Sequence, residues 1–79
     1  MSLEARLREA MISHGSIAEN WRMKIIAIER VGSQGSDYVN VVVETYKPRS
    51  KKPDYAVTIF IDTVKELVFW DRSSCESLK

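Results

Sequence analysis

The chain has 79 residues, enough for one small domain and too few for a two-domain enzyme. Hydrophobic residues make up 44% and charged residues 29%, a composition that excludes a disordered chain. Twelve Lys and Arg against 11 Asp and Glu leave a formal net charge of +1. No global field therefore draws the whole molecule to nucleic acid or to an anionic membrane, and any electrostatic partner is recognised locally.

The apolar runs and the charged N-terminal segment predict a cytoplasmic protein without membrane contact. No apolar run approaches the roughly 18 residues of a membrane span, and charges from Glu4 onward replace the apolar segment of a secretory signal. Cys75 is the single cysteine, so no intramolecular disulfide supports the core. We expect no cofactor and no metal, and a fold held by packing or by a partner.

The first predicted element is an amphipathic helix over residues 2–13. Its apolar stripe consists of Leu3, Leu7, Ala10 and Met11. Ser2 suits the N-cap, and Gly15 suits a left-handed C-terminal cap. His14 precedes that cap, where an imidazole interacts favourably with the helix dipole, so capping explains this histidine.

Residues 17–30 allow two interpretations. The one we favour is a short helical turn at 17–20 followed by a strand over about 22–31, because residues 24–28 are rich in β-branched side chains. The alternative is a helix that continues to Arg30, since Ile17, Trp21 and Ile25 share a helical face. Residues 31–37 hold two glycines and are predicted to reverse the chain.

Alternation of apolar residues predicts three further strands, at 38–46, 55–61 and 66–70. Two prolines and four cations make residues 47–53 an exposed loop. Asp62 starts a tight turn through its own side chain. The architecture is α+β: one helix on a four-stranded antiparallel meander, in the order αββββ, with two helices on three strands as the alternative. Residues 1–72 form the domain, and residues 73–79 form a flexible polar tail.

One predicted helix can cover only one face of the sheet. That covered face collects Val39, Val41, Val43, Val57, Ile59, Ile61, Leu67 and Phe69. The opposite face is also apolar and aromatic, which is typical of a protein interface. We therefore predict a non-enzymatic adaptor or regulatory module that forms a homodimer or binds a protein partner. The predicted interface residues are Tyr38, Val42, Tyr46, Phe60, Val68 and Trp70.

The alternative function is binding of nucleic acid by the basic loop. The loop places four cations in seven residues, beside tyrosines that could stack on bases. The candidate contact residues are Lys47, Arg49, Lys51, Lys52 and Tyr55, with Tyr46 on the other side of the loop. No recognised nucleic-acid-binding motif accompanies them.

Catalytic signals are weak. His14 has no second histidine or core cysteine to complete a site, and no neighbouring base activates Cys75. The spacing of the acids brings no two carboxylates together, and the three glycines fit no phosphate-binding loop. We therefore expect that the protein is not an enzyme.

Overall fold

The computed structural model describes residues 2–32 and 37–78, and in these residues it has one helix and five strands. The elements are α1 (Leu3–His14), β1 (Arg22–Val31), β2 (Tyr38–Tyr46), β3 (Tyr55–Asp62), β4 (Leu67–Phe69) and β5 (Cys75–Ser77). The strands form one antiparallel sheet in chain order. The fold class is α+β, as predicted, with one strand more than expected. Within the described residues, no helix is both long and apolar enough to cross a membrane.

Both predicted caps of α1 are confirmed. The Ser2 hydroxyl accepts a hydrogen bond from the Ala5 N–H at 3.1 Å, which satisfies a free donor of the first turn. Gly15 adopts the left-handed conformation with φ 90°, and its N–H donates to carbonyls of the last helical turn. The chain then passes through a turn in which the Trp21 N–H donates to the Ala18 carbonyl.

Residues 22–31 form a strand, so the helical alternative for this segment is wrong. The β-branched run of β1 pairs along its whole length with the valine-rich β2. The register shifts between Ile25 and Ala27, which leaves Ile26 as an extra residue in a β-bulge. Beyond the bulge the two faces of β1 exchange, so Ile25 and Ile28 lie on the same side. The predicted reversing loop includes residues 33–36, which lie outside the described residues.

The core lies between α1 and one face of the sheet, which we call the covered face. Its buried apolar residues are Leu7, Ala10, Met11, Ile17, Val41, Val43, Ile59, Ile61, Val68 and Leu78. Thr45 is also fully buried on this face, where its hydroxyl donates to the Tyr55 carbonyl. The stripe predicted for α1 is thus the stripe that packs on the sheet.

A fifth strand lies in the segment predicted to be a polar tail. Cys75–Ser77 pairs with β4, and the side chain of Leu78 is 6% exposed. The Leu78 N–H donates to the Glu66 carbonyl at 2.8 Å. Residues 75–78 therefore belong to the sheet and the core. A single apolar residue between polar neighbours has no periodicity, which is why the sequence pattern did not indicate this strand.

The turn between β3 and β4 follows the prediction for Asp62. Its carboxylate accepts hydrogen bonds from the N–H groups of Val64 and Lys65, at 3.1 and 2.9 Å. Glu66 has a positive φ of 57°, and its side chain forms an ion pair with Arg6 at 3.4 Å. This turn is consequently tied to α1 as well as to β5.

We predict that Met11→Ala disrupts the fold. Truncating a fully buried Met should lower the free energy of unfolding by about 2 to 5 kcal/mol, comparable with the whole stability of a chain this short. Urea unfolding followed by circular dichroism measures the change. Val64→Ala is the control, because Val64 is 67% exposed and its loss should cost less than about 0.5 kcal/mol. Equal effects in both variants would contradict the assigned core.

Candidate interaction face

The face of the sheet opposite α1, which we call the free face, carries no second layer within the described residues. Strand register assigns the side chains to it, since residues paired across an antiparallel sheet share a face. Its principal members are Arg22, Lys24, Tyr38, Asn40, Val42, Glu44, Tyr46, Thr58, Phe60, Leu67 and Phe69. A continuous sheet face without a covering layer is the structural basis for a candidate interface.

Three aromatic side chains from adjacent strands pack together on the free face and form an aromatic ladder. The rings of Tyr38 and Phe60 stack with centroids 5.1 Å apart. Phe60 meets Phe69 edge to face at 5.8 Å. Tyr38 is 40% exposed, whereas Phe60 and Phe69 are half-buried. The ladder is therefore a packed aromatic surface that still contacts solvent.

The predicted placement of Val68 on the free face is wrong. Val68 pairs with Ile61 and is fully buried on the covered face, while Phe69 pairs with Phe60. The four-residue turn after β3 sets this register, and a shift of one residue in a short strand exchanges its faces. Leu67 and Phe69, predicted for the core, thus lie on the free face in place of Val68. The sequence offers no signal for the change, because residues 67–70 are all apolar.

Trp70 packs against the C-terminal end of α1. Its indole stacks on the His14 ring, with centroids 4.4 Å apart and an interplanar angle of 20°. The His14 Nδ1 lies 2.9 Å from the Ser16 hydroxyl. Among the described residues, the buried indole N–H of Trp70 has no hydrogen-bond partner. Trp70 therefore joins the helix to the end of β4.

A groove of about 370 Å³ opens beside the aromatic ladder. It is lined by Asn40, Thr58, Phe60, Phe69, Trp70, Asp71 and Arg72. The Asp71 carboxylate accepts hydrogen bonds from the N–H and hydroxyl of Ser73, at 2.8 and 3.0 Å. These bonds, the backbone bond first, lower the pKa of Asp71, and the nearby His14 contributes in the same direction. The groove thus combines apolar walls with a fixed, ionised carboxylate.

The other end of the free face is polar. The Arg22 guanidinium lies over the Tyr46 ring, 5.5 Å from its centroid, and the Tyr46 hydroxyl donates to Glu44 at 3.4 Å. Desolvation raises the pKa of Tyr46, and the charge of Glu44 adds to this effect. Arg22 also donates to the backbone carbonyls of Lys47 and Ser50. Tyr46 is consequently enclosed by its neighbours.

The basic loop is a structured turn. The Ser50 N–H donates to the Lys47 carbonyl, Pro48 takes the second position, and Arg49 in the third has φ 66°, the pattern of a type II turn. Lys47 forms an ion pair with Asp54 at 3.5 Å. Arg49, Lys51 and Lys52 are exposed and form no ion pair with the described residues. Three cations of the loop therefore face solvent.

The two tyrosines beside the loop lie on opposite faces of the sheet. Tyr46 belongs to the free face, whereas Tyr55 pairs with Thr45 and donates its hydroxyl to the Ser16 carbonyl at 2.8 Å. They therefore do not form one stacking platform for bases. Binding of nucleic acid by the loop cations stays a prediction.

Comparisons with protein-family models, curated proteins and solved structures find no match to this chain. The described residues contain no group of three or more His, Cys, Asp or Glu side chains that could bind a metal ion.

We predict that Trp70→Glu destabilises the fold itself. The substitution removes the stack on His14 and places a charge against the core, so the free energy of unfolding should fall by about 2 kcal/mol or more. Thermal unfolding measures the change, and Val64→Glu is the matched control at an exposed turn position. A Trp70→Glu protein as stable as wild type would contradict the contact with α1.

We predict that Arg49→Gly stabilises the protein. A non-glycine residue in the left-handed region costs about 1 to 2 kcal/mol, which exceeds the conformational entropy that glycine adds to the unfolded chain. The free energy of unfolding should therefore rise by about 0.5 to 1 kcal/mol in urea unfolding. Lys51→Gly, which removes a neighbouring loop cation, should give no such gain. A loss of stability in Arg49→Gly would argue against the type II turn.

Proposed function

We propose that the chain is a small, non-enzymatic interaction module that self-associates through its free face. The observation that supports the proposal is the aromatic ladder of Tyr38, Phe60 and Phe69, which lies on a sheet face without a covering layer. Tyrosine and other aromatic side chains are enriched at protein interfaces, because they bring large rigid contact surfaces.

The symmetry of common oligomers supports a second copy as the occupant of the free face. A twofold dimer needs only one surface that complements itself, so the second copy is the simplest occupant.

The size of the free face sets the expected strength of the dimer. The five strands have 10, 9, 8, 3 and 3 residues. The rise per residue multiplied by the spacing between strands gives about 16 Å² for each residue, so the face has an area of about 500 Å². Two such faces lie at the small end of specific interfaces. We therefore expect a reversible dimer with a dissociation constant in the micromolar range.

The test is the solution mass, measured by light scattering after size exclusion over a range of protein concentration. We expect that Phe60→Glu and Thr58→Glu give folded monomers, because each places a charge at the centre of the free face. Thr58→Glu leaves the aromatic ladder in place, so loss of association there does not reflect loss of packing. Val64→Glu is the control and should dimerise like wild type, since Val64 lies in the turn after β3.

A wild-type protein that stays monomeric at every concentration would overturn the proposal. Dimers that persist in both Thr58→Glu and Phe60→Glu would overturn the assignment of the interface to the free face. Circular dichroism of each variant establishes that the sheet is intact.

A further inference from the structure

The groove beside the aromatic ladder is suited to bind a side chain that carries a positive charge at the end of an apolar stem. Phe60 and Phe69 supply aromatic walls, and Asp71 supplies a carboxylate held by Ser73. Arg72 lines the same groove but forms no ion pair with Asp71. A lysine or arginine side chain fits such a site, because its methylene stem packs on aromatic rings while its charge pairs with the acid.

A second copy of the chain offers a suitable cation on its own free face. Two strand cations lie on this face, both on β1. Arg22 is occupied by the Tyr46 ring and by loop carbonyls. Lys24 is exposed and forms no ion pair with the described residues. Lys24 is therefore the strand cation of the free face that remains for a partner.

Twofold symmetry can bring Lys24 of one copy to the groove of the other. When two sheets stack with the axis parallel to the strands, β1 of one copy lies over β5 of its partner at the same height. Lys24 pairs with Glu44 and Glu44 pairs with Ala56, so Lys24 and Ala56 lie at the same height along the strands. Phe69 pairs with Phe60, so Asp71, two residues further on, lies at about the height of Thr58. The offset is two residues along the strands, about 7 Å, and one strand across the sheet, about 5 Å, which suits a long and flexible lysine side chain.

We infer that Lys24 of a second copy occupies the groove and pairs with Asp71, twice in the symmetric dimer. This inference rests on the proposed self-association and deepens it, since it names the residue that the partner contributes. The pair also orients the dimer, because opposite charges on opposite sides of the face favour the stacking in which β1 covers β5.

The experiment reverses the charges of Lys24 and Asp71, separately and together. Sedimentation equilibrium measures the dissociation constant of the dimer in each variant. Lys24→Glu should weaken the dimer at least about tenfold, because it places two like charges together at both symmetric sites. Asp71→Asn should weaken it in the same direction while the amide oxygen keeps an acceptor for Ser73. The double variant with Lys24→Glu and Asp71→Lys should return to within about threefold of wild type.

Two controls separate this pair from general effects. Lys51→Glu makes the same change of charge in the basic loop and should leave the dissociation constant unchanged. Lys24→Gln replaces Lys24→Glu if the acid next to Glu44 disturbs the strand, since Lys24 and Glu44 are cross-strand neighbours. It should weaken the dimer in the same direction but by less.

The outcomes distinguish this inference from the proposed function. A dimer that Thr58→Glu breaks, but that Lys24→Glu and Lys24→Gln leave unchanged, would overturn the pairing and retain the interface. A double variant as weak as Lys24→Glu alone, or a Lys51→Glu protein with the same loss, would also overturn the pairing. A wild-type protein that is monomeric throughout would overturn both.

Discussion

The structure depends on one constraint: a single helix must bury the apolar side of a five-stranded sheet. The stripe of Leu7 and Met11 belongs to one buried cluster with Val41, Val43 and neighbouring side chains, and this cluster is the core. Alternation along each strand then assigns every other side chain to the opposite face. Because the chain provides no second helix among its described residues, that face has no cover from within the molecule.

Local interactions at the two ends of the sheet reinforce this arrangement. Arg6 of α1 pairs with Glu66 before β4, and His14 stacks on Trp70 after it, so the helix is attached to both ends of one short strand. At the other edge, Arg8 donates to the Glu19 and Trp21 carbonyls before β1. These contacts fix the helix over the sheet and leave the aromatic ladder outside the core, which is the basis of the proposed self-association.

The predictable part of the fold follows from strong periodicity and from turn chemistry. The caps of α1, the three long strands and the turn at Asp62 were all indicated by patterns over a few residues. The face assignment within β4 was not, because residues 67–70 are uniformly apolar and give no preferred phase. Of the predicted interface, Tyr38, Val42, Tyr46 and Phe60 lie on the free face, whereas Val68 is buried in the core. Trp70 packs against the core and also lines the groove beside the aromatic ladder. The position of Phe69 on the free face, and with it the groove, depends on the register between β3 and β4.

The sequence by itself determined that this chain is a small α+β domain with more apolar sheet surface than one helix can bury, since composition and periodicity are local properties. Tertiary structure decided which side chains form that surface. The bulge at Ile26 exchanges the faces of β1, and the turn after Asp62 determines which side chains of β4 lie on each face. The strand β5 forms because it pairs with β4. Each of these depends on hydrogen bonds between segments distant in the chain, and no local pattern specifies them.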